Sequence, residues 1–356
     1  MMNRRSFLAA AGSGFAASLV PSAADAFERA DAIFATAYRD EDGGYGIATL
    51  TDAGRLIDRY QLPERGHDIF WHASGEMLVA FARRPGTFAA VIDVKRRKKP
   101  LIIQAAEGRH FYGHGCFDPA GKLLYATEND FENARGVIGI YDVTNAFRRI
   151  GEFDTGGIGP HDMVPFPDGY HALIANGGIE THPDYPRAKL NISTMRPNLT
   201  IIDLRDGRIV ALNQLAPEMH KLSIRHLAMQ ADGTGWFACQ NQGDIVMPQP
   251  LAGKISPDGE IKLMETAMST WASLRGYIGA IACTKDGSRI AVTSPRAAVA
   301  LEIDPRHGRV LKTHHLEDVC GVIARDNQIT LSSGTGFFAG KRHQISFDNH
   351  ITRLGI

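Results

Sequence analysis

The sequence predicts an all-β propeller of four-stranded blades, seven being the count that best fits, closed by pairing of the N- and C-terminal strands. Three observations predict it. One phrase recurs along the chain, its apolar runs have strand length and sit between tight turns, and no long amphipathic helical pattern interrupts them.

The phrase is a His or Gly, an apolar stretch, an Asp/Asn/Gly turn, then a second apolar stretch. Its copies begin at His67, His114, His161, His226, Gly279 and Cys320. Their turns fall at Ser74-Gly75, Asp118-Pro-Ala-Gly121, Asp168-Gly169, Asp232-Gly233, Asp286-Gly287 and Asp326-Asn327. Each copy is therefore two strands joined by a tight turn. A third strand ending in Asp follows in four copies, at Asp93, Asp142, Asp203 and Asp304, and a fourth strand follows, as at Arg309–Thr313. Four antiparallel strands repeating about every 40 to 60 residues is the propeller-blade pattern. The stretches Ile33–Tyr38, Gly46–Leu50 and Leu56–Tyr60 resemble a blade without its innermost strand. The C-terminal segment His350–Leu354 is the candidate to supply it and so remove the open edge. Six or eight blades are the alternative counts.

The first 26 residues read as a signal peptide. Arg4-Arg5 precede Ser6-Phe7-Leu8, a weakly apolar run extends to Val20, and Ala24-Asp25-Ala26 suits signal peptidase. The Arg-Arg-x-Phe-Leu order points to the twin-arginine route rather than an ordinary secretory signal or an anchor. The expected organisation is a signal at 1–26 and one propeller domain at 27–356, located in the periplasm. That route carries folded proteins, so a cofactor is permitted.

Composition narrows the function classes. With 39 basic and 39 acidic residues the net charge is zero, so no nucleic-acid face is implied. The densest basic run, Lys95–Lys99, sits at a strand-to-turn boundary and reads as a solvated hairpin tip. After the signal, no segment is long and apolar enough to span a membrane. The four cysteines form no Cys-x-x-Cys pair, which excludes zinc ribbons and c-type haem. All four lie in apolar runs and are expected to be buried free thiols.

Blade geometry turns the repeat into a site expectation. First strands line the channel, so His67, His114, His161 and His226 should ring one mouth. Second strands run antiparallel, so Glu128, Asn129, Asp130, Asn176 and Gln240 should end at that mouth. The long insertion after Gly178 should project over it, carrying Glu180, His182, Asp184, Arg187 and Arg196. Neutral imidazoles with a carboxylate suit iron, copper, zinc or another divalent metal, and the candidate ligands are His114, His161, His226 and Glu128. Glu128, Asn129, Asp130 and Asn176 could instead ring a cation in a lactonase-like hydrolase. The opposing reading is structural, because WD-type propellers carry a hydrogen-bonding Gly-His pair, and Gly66-His67 and Gly113-His114 match it. The Trp-Asp partner of that pair is missing here. Serine-nucleophile, dinucleotide-binding and His-Glu-x-x-His motifs are absent.

Six segments carry a family resemblance: Phe111–Phe117, Thr127–Phe131, Gly136–Tyr141, Gly159–His161, Asn176–Pro183 and Leu222–His226. The chain resembles, over nearly its whole length, a domain-of-unknown-function family of twin-arginine-exported propellers. These are distantly similar to quinoprotein amine dehydrogenase-like and YVTN-repeat propellers. The resemblance implies a bacterial periplasmic protein whose genomic neighbours are imelysin-like and di-haem proteins of iron acquisition. It thus implies metal handling and an imelysin-like partner, and carries no catalytic residue over. A non-catalytic binder is the first expectation; a metal hydrolase, an accessory redox subunit and a pure interaction scaffold are the alternatives.

Overall fold

The structure is a computed structural model and describes residues 33–354, apart from 85, 95–98 and 186–187. The expected signal peptide at 1–26, most of the basic run at 95–99 and Arg187 lie outside the described residues.

Seven antiparallel sheets form the seven blades. Blade 1 takes β1 (Phe34–Asp40), β2 (Tyr45–Leu50) and β3 (Leu56–Leu62). Blade 2 is β4 (Gly66–Trp71), β5 (Met77–Ala82), β6 (Phe88–Asp93) and β7 (Leu101–Gln104). Blade 3 is β8 (Arg109–Phe117), β9 (Leu123–Asp130), β10 (Arg135–Asp142) and β11 (Arg148–Asp154). Blade 4 is β12 (Pro160–Pro165), β13 (His171–Asn176), β14 (Asn198–Asp203) and β15 (Ile209–Gln214). Blade 5 is β16 (Leu222–Met229), β17 (Gly235–Asn241), β18 (Ala252–Ile255) and β19 (Ile261–Leu263). One short helix, α1 (Met268–Ser273), then leads to blade 6: β20 (Ala280–Cys283), β21 (Ile290–Ser294), β22 (Val299–Asp304) and β23 (Arg309–His315). Blade 7 is β24 (Val319–Arg325), β25 (Gln328–Ser333), β26 (Phe337–Phe338) and β27 (Lys341–Arg342). The chain returns to blade 1 through β28 (Ile345–Phe347) and β29 (Thr352–Arg353).

The polar signature of the repeat has a local cause. In four inner hairpins the turn Asp accepts the backbone N–H two or more residues on. Asp118 takes Lys122 and Leu123, Asp168 takes Tyr170 and His171, Asp232 takes Thr234 and Asp286 takes Ser288. The Asp that ends a third strand does the same for the next turn: Asp142 to Thr144, Asp203 to Arg205 and Asp304 to Arg306. A carboxylate supplies the turn with an acceptor that the ladder cannot, which is why Asp recurs at these two places. Between the turns, the apolar strand residues pack blade against blade, as Leu173, Ile201, Phe237 and Ile255 do in the largest cluster.

The ring closes as the sequence predicts, with both ends of the C-terminal segment on β1. Tyr38 pairs with Phe347, Asp40 with Ile345, and Ala35 with Thr352. The Thr36 hydroxyl donates to the His350 carbonyl at 2.7 Å, and Thr352 donates to the Ile69 carbonyl of blade 2. The four cysteines are free thiols, with Cys116, Cys239 and Cys320 buried. Among the described residues no helix is long and apolar enough to cross a membrane.

Removing residues 345–356 exposes the inner edge of β1 and unseals the ring. The truncated chain should not yield soluble protein with the cooperative melt of the full chain, as read by circular dichroism.

Candidate functional site

A blade's sheet stacks face to face with its neighbours, so strand side chains normally project into the layers between blades. Side chains reach the central axis here because the innermost strands bulge. In β4 the register jumps from Gly66 to Ile69, leaving His67 and Asp68 outside the ladder. In β8 it jumps from Phe111 to Gly115, freeing Tyr112, Gly113 and His114. The unpaired residue is His161 in β12, Arg225 in β16 and Cys320 in β24. Between β28 and β29, residues 348–351 span only Thr36 and Ala37 of β1. Bulges re-aim side chains, and six in one ring direct polar groups inward. Gly113 allows the closest approach. It has φ +100°, and a Cβ there would stand 2.5 Å from the His67 ring.

Five imidazoles meet at this hub. His67, His114, His161 and His226 are the four that the repeat points to, and His350 joins them. The His67 ring lies 5.0 Å from that of His114 and 4.6 Å from that of His350. His114 is 5.2 Å from His161 and 4.7 Å from His350. His226 is 4.9 Å from His161 and 5.3 Å from His350. Nitrogens of His67, His114 and His350 all fall within 4.8 Å of one another. Both ring nitrogens of His114 and His226, and one each of His67, His161 and His350, are buried without a hydrogen-bond partner.

Three carboxylates border the imidazoles. His114 Nδ1 is 3.1 Å from Asp68 and 3.1 Å from Asp162, neither of them aligned as a hydrogen bond. His67 Nδ1 is 3.6 Å from Asp348. Each carboxylate also serves the ring. Asp162 accepts the Leu227 N–H of blade 5, Asp68 accepts from Thr352, and Asp348 accepts from Arg65 and Arg83. Burial holds His67, His161 and His226 well below the usual imidazole range, and lowers His350. Burial pushes His114 the same way, but Asp162 and Asp68 outweigh it and raise His114 to about 10. The hub thus offers four neutral imidazoles and one imidazolium clamped between carboxylates.

Cavities reach this layer from two sides. On one side lies a channel of about 550 Å³ with mostly apolar walls, bordered at its inner end by Asp68, Asp162, His226 and His350. On the other is a cavity of about 400 Å³ bordered by Arg65, Arg83, Tyr277, Arg296 and Asp348.

The second-strand residues do not join the imidazoles. The expectation that Glu128 stands beside His114 as a ligand is corrected by its contacts. Its carboxylate accepts from Tyr141 at 2.5 Å and from Arg149 at 2.8 Å, inside blade 3 and in the space left by Gly139. Asp130 is bound by Asn133, Arg135 and Arg109, whose hydrogen bonds and charge outweigh its burial and lower its pKa. Asn129 donates to the Thr181 carbonyl, Asn176 to the Thr155 carbonyl and Gln240 to the Ile278 carbonyl. These three side chains tie down neighbouring segments of chain. Since the ladder of the second strands is unbroken at these positions, their side chains stay in the layers between blades.

The insertion after Gly178 contributes little to the hub. His182 packs on Phe131 and lies 3.6 Å from Asp184, Glu180 is held through its N–H by Asn191, and Arg196 is exposed beside Met219 and His220. The residues that sequence reasoning missed are His350, Asp68, Asp162 and Asp348. His-Asp occurs twice, at 67–68 and 161–162, and His350 lies in the segment expected to be an innermost strand. Both signals were present in the sequence.

The comparisons with known proteins follow the fold. The family model described as "Protein of unknown function (DUF1513)" matches residues 60–354. Among solved structures, hydrazine synthase of Kuenenia stuttgartiensis superposes with a TM-score of 0.62 at 12% identity, covering 83% of this chain and 91% of that one. The Cps50 (Swd1) β-propeller domain of Myceliophteria thermophila gives 0.57 at 11% identity, covering 85% and 93%. At these identities the likeness is one of fold. No functionally curated protein matches the sequence.

Glu128→Gln tests the division between blade and hub. It should cost about 1–3 kcal/mol of stability by weakening a buried charge-assisted hydrogen-bond set, read by denaturant unfolding, and leave any property of the hub unchanged.

Proposed function

The chain belongs to the DUF1513 family of proteins of unknown function, and we propose that it is a non-catalytic binder of one transition-metal ion at the propeller hub, serving metal acquisition outside the cytoplasm. The observation that carries this reading is the convergence of His67, His114 and His350 nitrogens within 4.8 Å, amid buried ring nitrogens that lack hydrogen-bond partners. A buried polar atom left without a partner costs about 1–3 kcal/mol, so several in one layer need a common partner. A metal ion is a partner that imidazoles at this separation can share.

The donor set fits iron, copper or zinc, which imidazole suits. The carboxylates beside His114 and His67 face Nδ1. Such a contact orients the ring and raises its basicity. His114, an imidazolium without metal, offers Nε2 as a ligand atom only by releasing that proton, so metal uptake should release a proton. In a Gly-His pair the histidine is held by hydrogen bonds; here His114 and His67 meet carboxylates through Nδ1 alone, and both ring nitrogens of His226 have no partner. A lactonase-like cation ring draws no support, because Glu128, Asn129, Asp130 and Asn176 are each engaged elsewhere. Export by the twin-arginine route and an imelysin-like partner rest on the N-terminal signal and the family resemblance.

Two measurements test this reading. Metal-stripped protein titrated with Fe(II), Cu(II) or Zn(II) should take up one ion per chain, counted by elemental analysis. The His114→Ala/His350→Ala variant should lose that ion while Glu128→Gln keeps it; equal uptake by both would overturn the hub assignment. Separately, full-length protein expressed in a bacterium should fractionate with the periplasm as a chain cut after Ala26. Arg4→Lys/Arg5→Lys should hold it in the cytoplasm.

A further inference from the structure

We propose that the cavity on the arginine side of the hub binds a small oxyanion carrying two or more negative charges, a polycarboxylate or a phosphate. This site is separate from the histidine layer and does not depend on a metal there.

Positive charge is concentrated at this mouth beyond what its acids can balance. Arg65, Arg83 and Arg296 border the cavity. Arg65 and Arg83 share the single carboxylate of Asp348, at 2.6 and 3.0 Å. Asp318 is the other acid on the wall. Arg84, Arg225 and Arg296 form no ion pair among the described residues. Arg84 Nη1 and Arg225 Nε are buried and unpartnered.

The cations crowd one another. Burial and the like charge of Arg84 and Arg83 depress Arg225, which also lies within electrostatic reach of Tyr112 and Tyr277. Burial together with Arg225, Arg296 and Arg84 lowers Lys189, on the insertion after Gly178. Two aromatic rings hold guanidiniums in place, Tyr112 under Arg84 at 5.8 Å and Tyr277 under Arg296 at 4.3 Å. The bulge in β16 leaves Arg225 outside the ladder, within electrostatic reach of Tyr277 and Arg83 on the cavity wall.

Guanidiniums held apart from carboxylates and steadied by rings are arranged to accept oxygens in pairs. Four arginines on the wall, Arg39, Arg65, Arg83 and Arg296, facing the two acids Asp318 and Asp348, with Arg84 and Arg225 behind them, select for charge of at least two on the ligand. A volume of about 400 Å³ admits a small molecule rather than a polymer.

Calorimetric titration of the full exported chain with citrate and with inorganic phosphate tests this, with acetate as the monovalent control. Measurements run on both metal-stripped and metal-loaded protein. At least one polyvalent anion should bind more tightly than acetate, and the affinity should fall as salt rises. Arg83→Gln and Arg296→Gln should each weaken it about tenfold or more, while Arg208→Gln on the outer rim of blade 4 leaves it unchanged. Citrate binding alone assigns a carboxylate ligand, and phosphate binding alone assigns a phosphate. Should Arg83→Gln fail to fold, Arg296→Gln decides. Equal binding of acetate, or an affinity indifferent to folded variants, would overturn the proposal. Metal content measured on the same samples separates this outcome from failure of the hub reading.

Discussion

The bulge in the innermost strand is the constraint on which the rest of this structure depends. A regular strand in a stacked blade buries its side chains against the neighbouring blades and leaves the axis to backbone edges. Six of the seven innermost strands break register near the same level, and only β20 stays regular. That irregularity frees His67, Asp68, His114, His161, Arg225, Asp348 and His350 from the ladder, and His226 and Asp162 follow directly after bulged residues. An unpaired ladder position is unfavourable in each blade, and its recurrence around the ring gathers polar groups at the hub.

Burial then sets the chemistry. A dry layer disfavours charge, so four of the histidines are held neutral. His114 is the exception because Asp68 and Asp162 flank it. The same carboxylates bond to adjoining blades, so the electrostatics of the hub and the closure of the ring share residues. Asp348 extends this coupling to the mouth, where it faces His67 on one side and Arg65 and Arg83 on the other. The hub therefore separates a basic entrance from a mostly apolar channel.

Away from the axis, polar residues do a different kind of work. Turn aspartates cap hairpins, Asn129, Asn176 and Gln240 clamp adjoining segments, and Glu128 with Arg149 and Tyr141 forms a buried set inside blade 3. Glu128, Asn129, Asn176 and Gln240 are buried like the hub imidazoles, but each makes a hydrogen bond to a neighbouring segment or side chain. The concentration of unpartnered ring nitrogens in one layer, more than burial alone, distinguishes the hub from the scaffold.

The repeat phrase by itself determined the propeller, favoured seven blades over six or eight, and pointed to closure by the C-terminal segment and to the four histidines at 67, 114, 161 and 226. Those features follow from local pattern, since strand length, turn Asp and apolar runs are encoded in neighbouring residues. Register within each strand was not legible in this way. A bulge depends on which residue of the partner strand stands opposite, so only the assembled sheets decided that Glu128 turns into the blade while Arg225 and Asp162 turn toward the hub. His350 shows the same division. Its membership of the closing strand was readable, but its place against His67 and His114 arises from pairing across more than 230 residues of chain, which no local pattern contains.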